Sequence, residues 1–141
     1  MKRVSFEVAK AIKKAGYHEI CHYYYSDGYD DEDNPEHEFV LCAACIPTFV
    51  QDWNDTNKHP EYDKDHKEYW RNVWSAPTYF ETWLWLWREK GIQIPVGVDS
   101  ATIWMPGNDG NMHNRGFFKN DDPEEAIIEA IDYLIENDLI K

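Results

Sequence analysis

Positive charge is what this sequence most lacks: 14 Lys and Arg stand against 27 Asp and Glu, a formal net charge of -13. A surface so acidic repels phosphate backbones, which bind proteins through basic patches that release counterions, so direct DNA or RNA binding is not expected. Cysteine is scarce, three residues and an odd number, which argues against a disulfide framework and fits a reducing compartment. No window approaches the roughly 20 apolar residues of a membrane span. Met1-Lys2-Arg3 runs into Val4-Ser5-Phe6-Glu7 and not into the apolar stretch of a secretory signal, so a cytoplasmic location is expected. Also missing are a Gly-rich phosphate loop, a nucleophile elbow and the spacing of a calcium loop within Asp27 to Glu38, while His18 and His22, four residues apart, lie across a strand start and not on a helix that would aim both at one metal. No catalytic residue and no cofactor are therefore expected.

What is present is apolar and aromatic. Hydrophobic residues make up 43% and aromatics 16%, too much for a disordered chain, so the mean hydropathy of -0.74 reflects charge added outside a real core. The 141 residues fit one domain able to bury that core without staples. The acids cluster, seven between Asp27 and Glu38 and eight between Asp121 and Asp138, with no Lys or Arg in either run. The plain reading is a solvated loop and a solvated helix face. The sharper one is a surface, Asp30, Asp31 and Asp33 included, that docks on a basic partner or imitates nucleic acid.

Local signals outline the elements. Ser5 caps a helix over Phe6 to Ala15, ended by Gly16. Ile20 to Tyr25 reads as a strand, and Glu38 to Ala44 as its antiparallel partner. Tyr62, His66, Tyr69, Trp70, Val73 and Trp74 fit one face of a helix entered through Pro60, with a strand over Tyr69 to Ser75 as the alternative. Thr78 and Glu81 form a capping box that opens a tryptophan-rich helix closed by Gly91. There Phe80, Trp83, Leu84 and Trp87 share a stripe read as core, and Trp85 points roughly 140° away from Phe80. Ile92 to Asp99 alternates as a half-buried strand, with Ala101 to Pro106 as its hairpin partner and a short strand at Gly116 to Lys119. Asp122-Pro123 starts a last helix, whose core stripe is Ala126, Ile127, Ala130, Ile131, Leu134 and Ile135. The expected fold is a single α+β domain over 1–141, an antiparallel sheet of about four strands with three main helices packed on it.

Two constellations carry candidate function. Cys42-Ala43-Ala44-Cys45 is a C-x-x-C that would hold a thiol-redox pair or, with Cys21, part of a zinc site. Against it stand the missing βαβ context and the habit of free cysteine to be buried. Trp85, off its helix stripe, is either covered by Trp70 and Trp74 or offered to a partner protein. No feature of the sequence specifies an oligomeric state.

The segments Ser5 to Gly16, Ala76-Pro77-Thr78-Tyr79 leading into Trp83 to Lys90, and Pro123-Glu124-Glu125-Ala126 carry a resemblance. In them the chain resembles a family of small proteins found in gut bacteria and their phages. Between them the region from Ile46 to Asn72 looks like an insertion, so 46–75 is taken as a helical insertion within the domain. The resemblance implies a phage or mobile-element setting and brings no activity, cofactor or catalytic residue with it. The leading expectation is an accessory protein acting by protein–protein interaction. The alternatives are a zinc or thiol-redox protein using Cys42 and Cys45, and an acidic mimic of nucleic acid.

Overall fold

The structure, a computed structural model, describes residues 2–26, 40–43, 51–55, 58–62 and 68–141; for 40–43, 58–62 and 68–72 it is the backbone path that is described. The fold is α+β, with three helices and only antiparallel pairing among the described residues. Two compact units form, residues 4–77 and residues 78–141 joined by 1–3.

In the first unit, α1 (Phe6–Lys14) starts where the Ser5 hydroxyl accepts from the Val8 amide. Its buried side is Val8, Ala9 and Ile12, while Phe6 and Ala15 are less covered. The sheet has the order β2 (Val40–Ala43), β1 (Tyr23–Ser26), β4 (Glu68–Ser75), β3 (Lys58–Tyr62). The β1–β2 pairing is the one the sequence predicts. In contrast, the helix preferred over Tyr62 to Trp74 gives way among the described residues to the alternative strand: β4, Glu68–Ser75, is paired on both sides, with β1 and with β3. Its aromatic and β-branched residues suit a pleated surface, and two neighbouring ladders satisfy its backbone in a way that local periodicity cannot register. Pro60 lies opposite Trp70 in β3, an edge strand, where its missing N–H is tolerated. The stretch read as a helical insertion thus supplies an interior strand of the sheet.

Aromatics fasten α1 to this sheet. Tyr25 and Trp74 are cross-strand partners, and the Phe6 ring meets both edge-on, at 5.6 and 5.0 Å, the geometry preferred by ring quadrupoles. The Tyr25 hydroxyl donates to the Val4 carbonyl at 2.7 Å, and Lys13 Nζ donates to the Val73 carbonyl at 2.7 Å.

In the second unit, α2 (Tyr79–Lys90) and α3 (Pro123–Glu136) accompany the hairpin of β5 (Ser100–Pro106) and β6 (Met112–Lys119). The strand expected over Ile92 to Asp99 is replaced by two isolated bridges, Gln93 with Trp104 and Val96 with Ala101. Pro95 cannot donate to a ladder, and the alternation fails at Val98, which is 91% exposed. The partner of β5 is β6 instead, twice as long as the four-residue strand expected. The Asp122 carboxylate caps α3 by accepting from the Glu124 amide at 2.9 Å, with Pro123 in its first turn. Ala126, Ile127, Ile128, Ala130, Ile131 and Leu134 form its buried side, and Phe118 of β6 meets Tyr133 edge-on at 5.4 Å.

Candidate functional site

The site grows out of the tryptophan helix. At its start both halves of the predicted capping box are made: the Glu81 amide donates to the Thr78 hydroxyl at 3.0 Å, and the Thr78 amide to the Glu81 carboxylate at 2.8 Å. At its end Gly91 takes a left-handed conformation, φ 66°, which an L side chain adopts only at a cost. The expected orientation of the helix is inverted. Its buried residues are Tyr79, Thr82, Trp85 and Leu86, while the stripe predicted as core carries the exposed Phe80 and Trp87 and the half-buried Trp83 and Leu84. Both arcs are apolar, so periodicity alone could not choose between them. The polar atoms of the buried arc are paired. The Thr82 hydroxyl donates to the Thr78 carbonyl at 3.0 Å, and the Tyr79 hydroxyl to Asp132 Oδ1 at 2.8 Å, so this arc can be buried with its polar atoms paired.

Beyond Gly91 the chain folds back beside the helix. The Ile92 amide donates to the Leu86 carbonyl at 3.1 Å, and the Trp83 indole N–H to the Ile94 carbonyl at 2.8 Å. Gln93 and Trp104 exchange two backbone hydrogen bonds, 2.9 and 2.8 Å, which tie the segment to β5. Ile92 and Ile94 turn inward while Gln93 and Pro95 face solvent. The result is a groove of about 250 Å³ lined by Trp83, Trp87, Gln93, Ile94 and Pro95. No charged side chain lines it. Trp87 on its rim is 56% exposed, and Phe80 stacks on Trp83 at 5.4 Å. Among the described residues, the Trp87 indole N–H and the Gln93 side-chain amide make no hydrogen bond.

The predicted site residues fall elsewhere. Trp85 is 2% exposed, with the Lys90 ammonium 5.5 Å from the centre of its ring, so it presents no surface to a partner. Trp74 is half-buried against Phe6. Cys21 is buried, its sulfur 3.8 Å from the Tyr17 hydroxyl. The side chains of Cys42 and Trp70, together with Cys45, Asp30, Asp31 and Asp33, lie outside the described residues, and the C-x-x-C reading lies there with them.

One other cluster brings together chemistry-bearing groups. His18, Asp52 and Asp55 place one ligand atom each within 4.8 Å of one another. Local bonding accounts for it: Asp52 Oδ2 lies 3.0 Å from His18 Nδ1, and Asp52 Oδ1 accepts from the Asn54 amide at 2.9 Å. Lys13 adds a positive charge that acts on Asp52, though burial is the larger influence on that lysine and holds its pKa below the ordinary value. His18 and Asp52 thus form a hydrogen-bonded surface pair at a turn. At the tip of the β5–β6 hairpin a similar pair forms, with His113 Nε2 3.0 Å from Asp109 Oδ1. The His113 hydrogen bond, followed by that of the Asn111 backbone, holds Asp109 below the usual carboxylate range.

The groove residues were missed because its tryptophans were assigned to the core. The available signal was Ile92-Gln93-Ile94-Pro95 directly after a left-handed cap: an alternating segment that its proline keeps out of a full ladder and leaves beside the helix. No protein-family model, curated protein or solved structure matches this chain. Among the described residues no helix is long and apolar enough to cross a membrane.

Proposed function

We propose that this chain is a protein-binding accessory module, in the phage or mobile-element setting that its sequence resemblance implies, and that it engages its partner through the aromatic groove of α2. The observation that carries this reading is Trp87: a large indole 56% exposed on the rim of an uncharged groove. Leaving so much apolar surface in water forgoes part of the ~1.5–3 kcal/mol that burying a large side chain provides. Tryptophan is the residue type most enriched where binding energy concentrates at interfaces. The chain's charge of -13 favours a basic partner and speeds its approach.

Mimicry of nucleic acid is supported less well, because the acids of α3 have local tasks. Glu124 and Glu125 accept from Lys2, Glu129 from Asn120, and Asp132 from Tyr79. Capture from a host lysate by wild type, Trp87→Ala and Asp109→Asn tests the reading. A partner held by wild type and Asp109→Asn but lost with Trp87→Ala is the expected result, with all three proteins giving the same circular dichroism spectrum. A partner indifferent to Trp87 and released by salt would move the contact to the acidic surface and sink the proposal.

A further inference from the structure

Resting on that reading, we infer that the occupant of the groove is an extended proline-rich segment in polyproline II conformation, flanked by basic residues. Three recognition modes compete for such a surface, and the geometry separates them. Strand addition needs an edge with free backbone groups. Here the amide and carbonyl of Gln93 are both taken by Trp104, the Pro95 carbonyl accepts from the Thr102 amide, and the Ile94 carbonyl accepts from Trp83. Pro95 has no amide hydrogen to offer. Of the backbone groups of Gln93, Ile94 and Pro95 only the Ile94 amide is left without a described acceptor, too few for a ladder.

A helical occupant fits poorly for two reasons. Its diameter with side chains is about 10–12 Å, large for a groove of about 250 Å³ lined by five residues. Its carbonyls are also consumed by its own hydrogen bonds, whereas the groove offers donors, the Trp87 indole N–H and the Gln93 side-chain amide, that are unpaired among the described residues. A polyproline II segment has no internal hydrogen bonds, so every carbonyl is available to those donors. Its proline rings pack flat on indole faces, and it binds with little loss of conformational freedom because it is already extended. Trp83 and Trp87 stand one turn apart, roughly 6 Å along the helix axis, and both line the groove, so two indoles are offered to the proline rings.

Charge selects the flanks and disfavours a second copy of this chain as the occupant. Two molecules each at -13 repel, while arginine or lysine beside the prolines is drawn to the acidic surface.

The test uses full-length protein and three labelled peptides of equal length in fluorescence anisotropy: a proline run flanked by arginines, the same flanks around alanines, and the proline run flanked by serines. The arginine-flanked proline peptide should bind best, and its affinity should fall at least about tenfold with Trp87→Ala. It should fall less with Trp87→Phe, which keeps a ring and removes the N–H. Wild-type binding should shift the Trp87 indole signal in a nitrogen–proton NMR spectrum. Equal binding of the alanine peptide, or binding unchanged by Trp87→Ala, overturns the inference, as does a proline peptide that fails to bind at millimolar concentration. A lysate partner that depends on Trp87 while the proline peptide fails would leave the protein-binding reading standing and remove only the proline-rich occupant.

Discussion

Trp53, in the unit of residues 4–77, is 3% exposed, stacks on Tyr24 at 3.9 Å and donates its indole N–H to the Cys21 carbonyl at 2.9 Å. Trp87, in the unit of residues 78–141 with 1–3, is 56% exposed and donates to no described residue. Both belong to apolar, aromatic stretches of sequence. What separates them is the fate of the N–H. A buried indole needs an acceptor, and in the first unit a backbone carbonyl is delivered by the bridge of Cys21 with Gln51. In the second, the carbonyl that the folded-back segment delivers, that of Ile94, goes to Trp83. One unit uses its tryptophan as a lock, and the other presents one.

The sharpest way to break this contrast is at Asn54, next to Trp53. Its side chain is 5% exposed and bridges two backbone groups, Nδ2 donating to the Tyr17 carbonyl and Oδ1 accepting from the Ser75 amide, both at 2.9 Å. Asn54→Ala leaves a buried donor and a buried acceptor unpaired, at about 1–3 kcal/mol each. We expect a loss of roughly 3 kcal/mol or more in urea denaturation. Asn54→Asp should be nearly as damaging, since a carboxylate cannot donate to Tyr17. A loss below about 1 kcal/mol would mean that packing alone holds the lock, because surface-scale changes are that small.

Gly91 is the matching test in the other unit. At φ 66° an added Cβ would meet only Pro106, at an ordinary 3.7 Å, so the cost of Gly91→Ala is conformational, about 1 kcal/mol. Thermal melting should register that loss. The groove depends on this reversal, so binding through Trp87 should weaken alongside; binding unchanged at reduced stability would show that the folded-back segment is not needed.

The two units also differ in how readable they were. Caps were legible because they are local: Ser5, the Thr78–Glu81 box, Gly91 and Asp122 with Pro123 all act where their spacing places them. The β1–β2 pairing was legible for the same reason. The strand at Glu68–Ser75 was legible only as the second choice over Tyr69 to Ser75, because its ladders come from residues as far away as Tyr24 and Ser26, and no local period encodes a distant partner. The buried face of α2 was not legible. Phe80, Trp83, Leu84 and Trp87 form an arc as apolar as Tyr79, Thr82, Trp85 and Leu86, and the inward face carries a partner no local period shows, Asp132 for the Tyr79 hydroxyl, 53 residues downstream. Misassigning that face hid the groove. The identity of its lining was in the sequence, and its exposure was not.

The smallest effect probes that choice of face. Burial, the largest cause, raises the Asp132 pKa; the Tyr79 hydrogen bond opposes it, and the charges of Glu136 and Glu125 add to the rise. A carboxyl whose folded pKa lies above its unfolded value holds its proton more tightly when folded. Its ionisation therefore costs stability as pH rises through the window from about 3.8 to the raised folded value, and the whole cost is present at neutral pH. Asp132→Asn removes the charge and keeps an oxygen to accept from Tyr79. The variant should be more stable than wild type at pH 7 by roughly a few tenths of a kcal/mol, the scale of substitutions at half-exposed sites. That advantage should vanish as pH falls below the carboxylate range, where wild-type Asp132 is protonated. Thermal melts of both proteins across that range read the difference directly. If Asp132→Asn is instead the less stable protein at pH 7, the Tyr79 bond to an ionised carboxylate outweighs desolvation, and a charged hydrogen bond, not a tolerated one, is what turned this face of α2 inward.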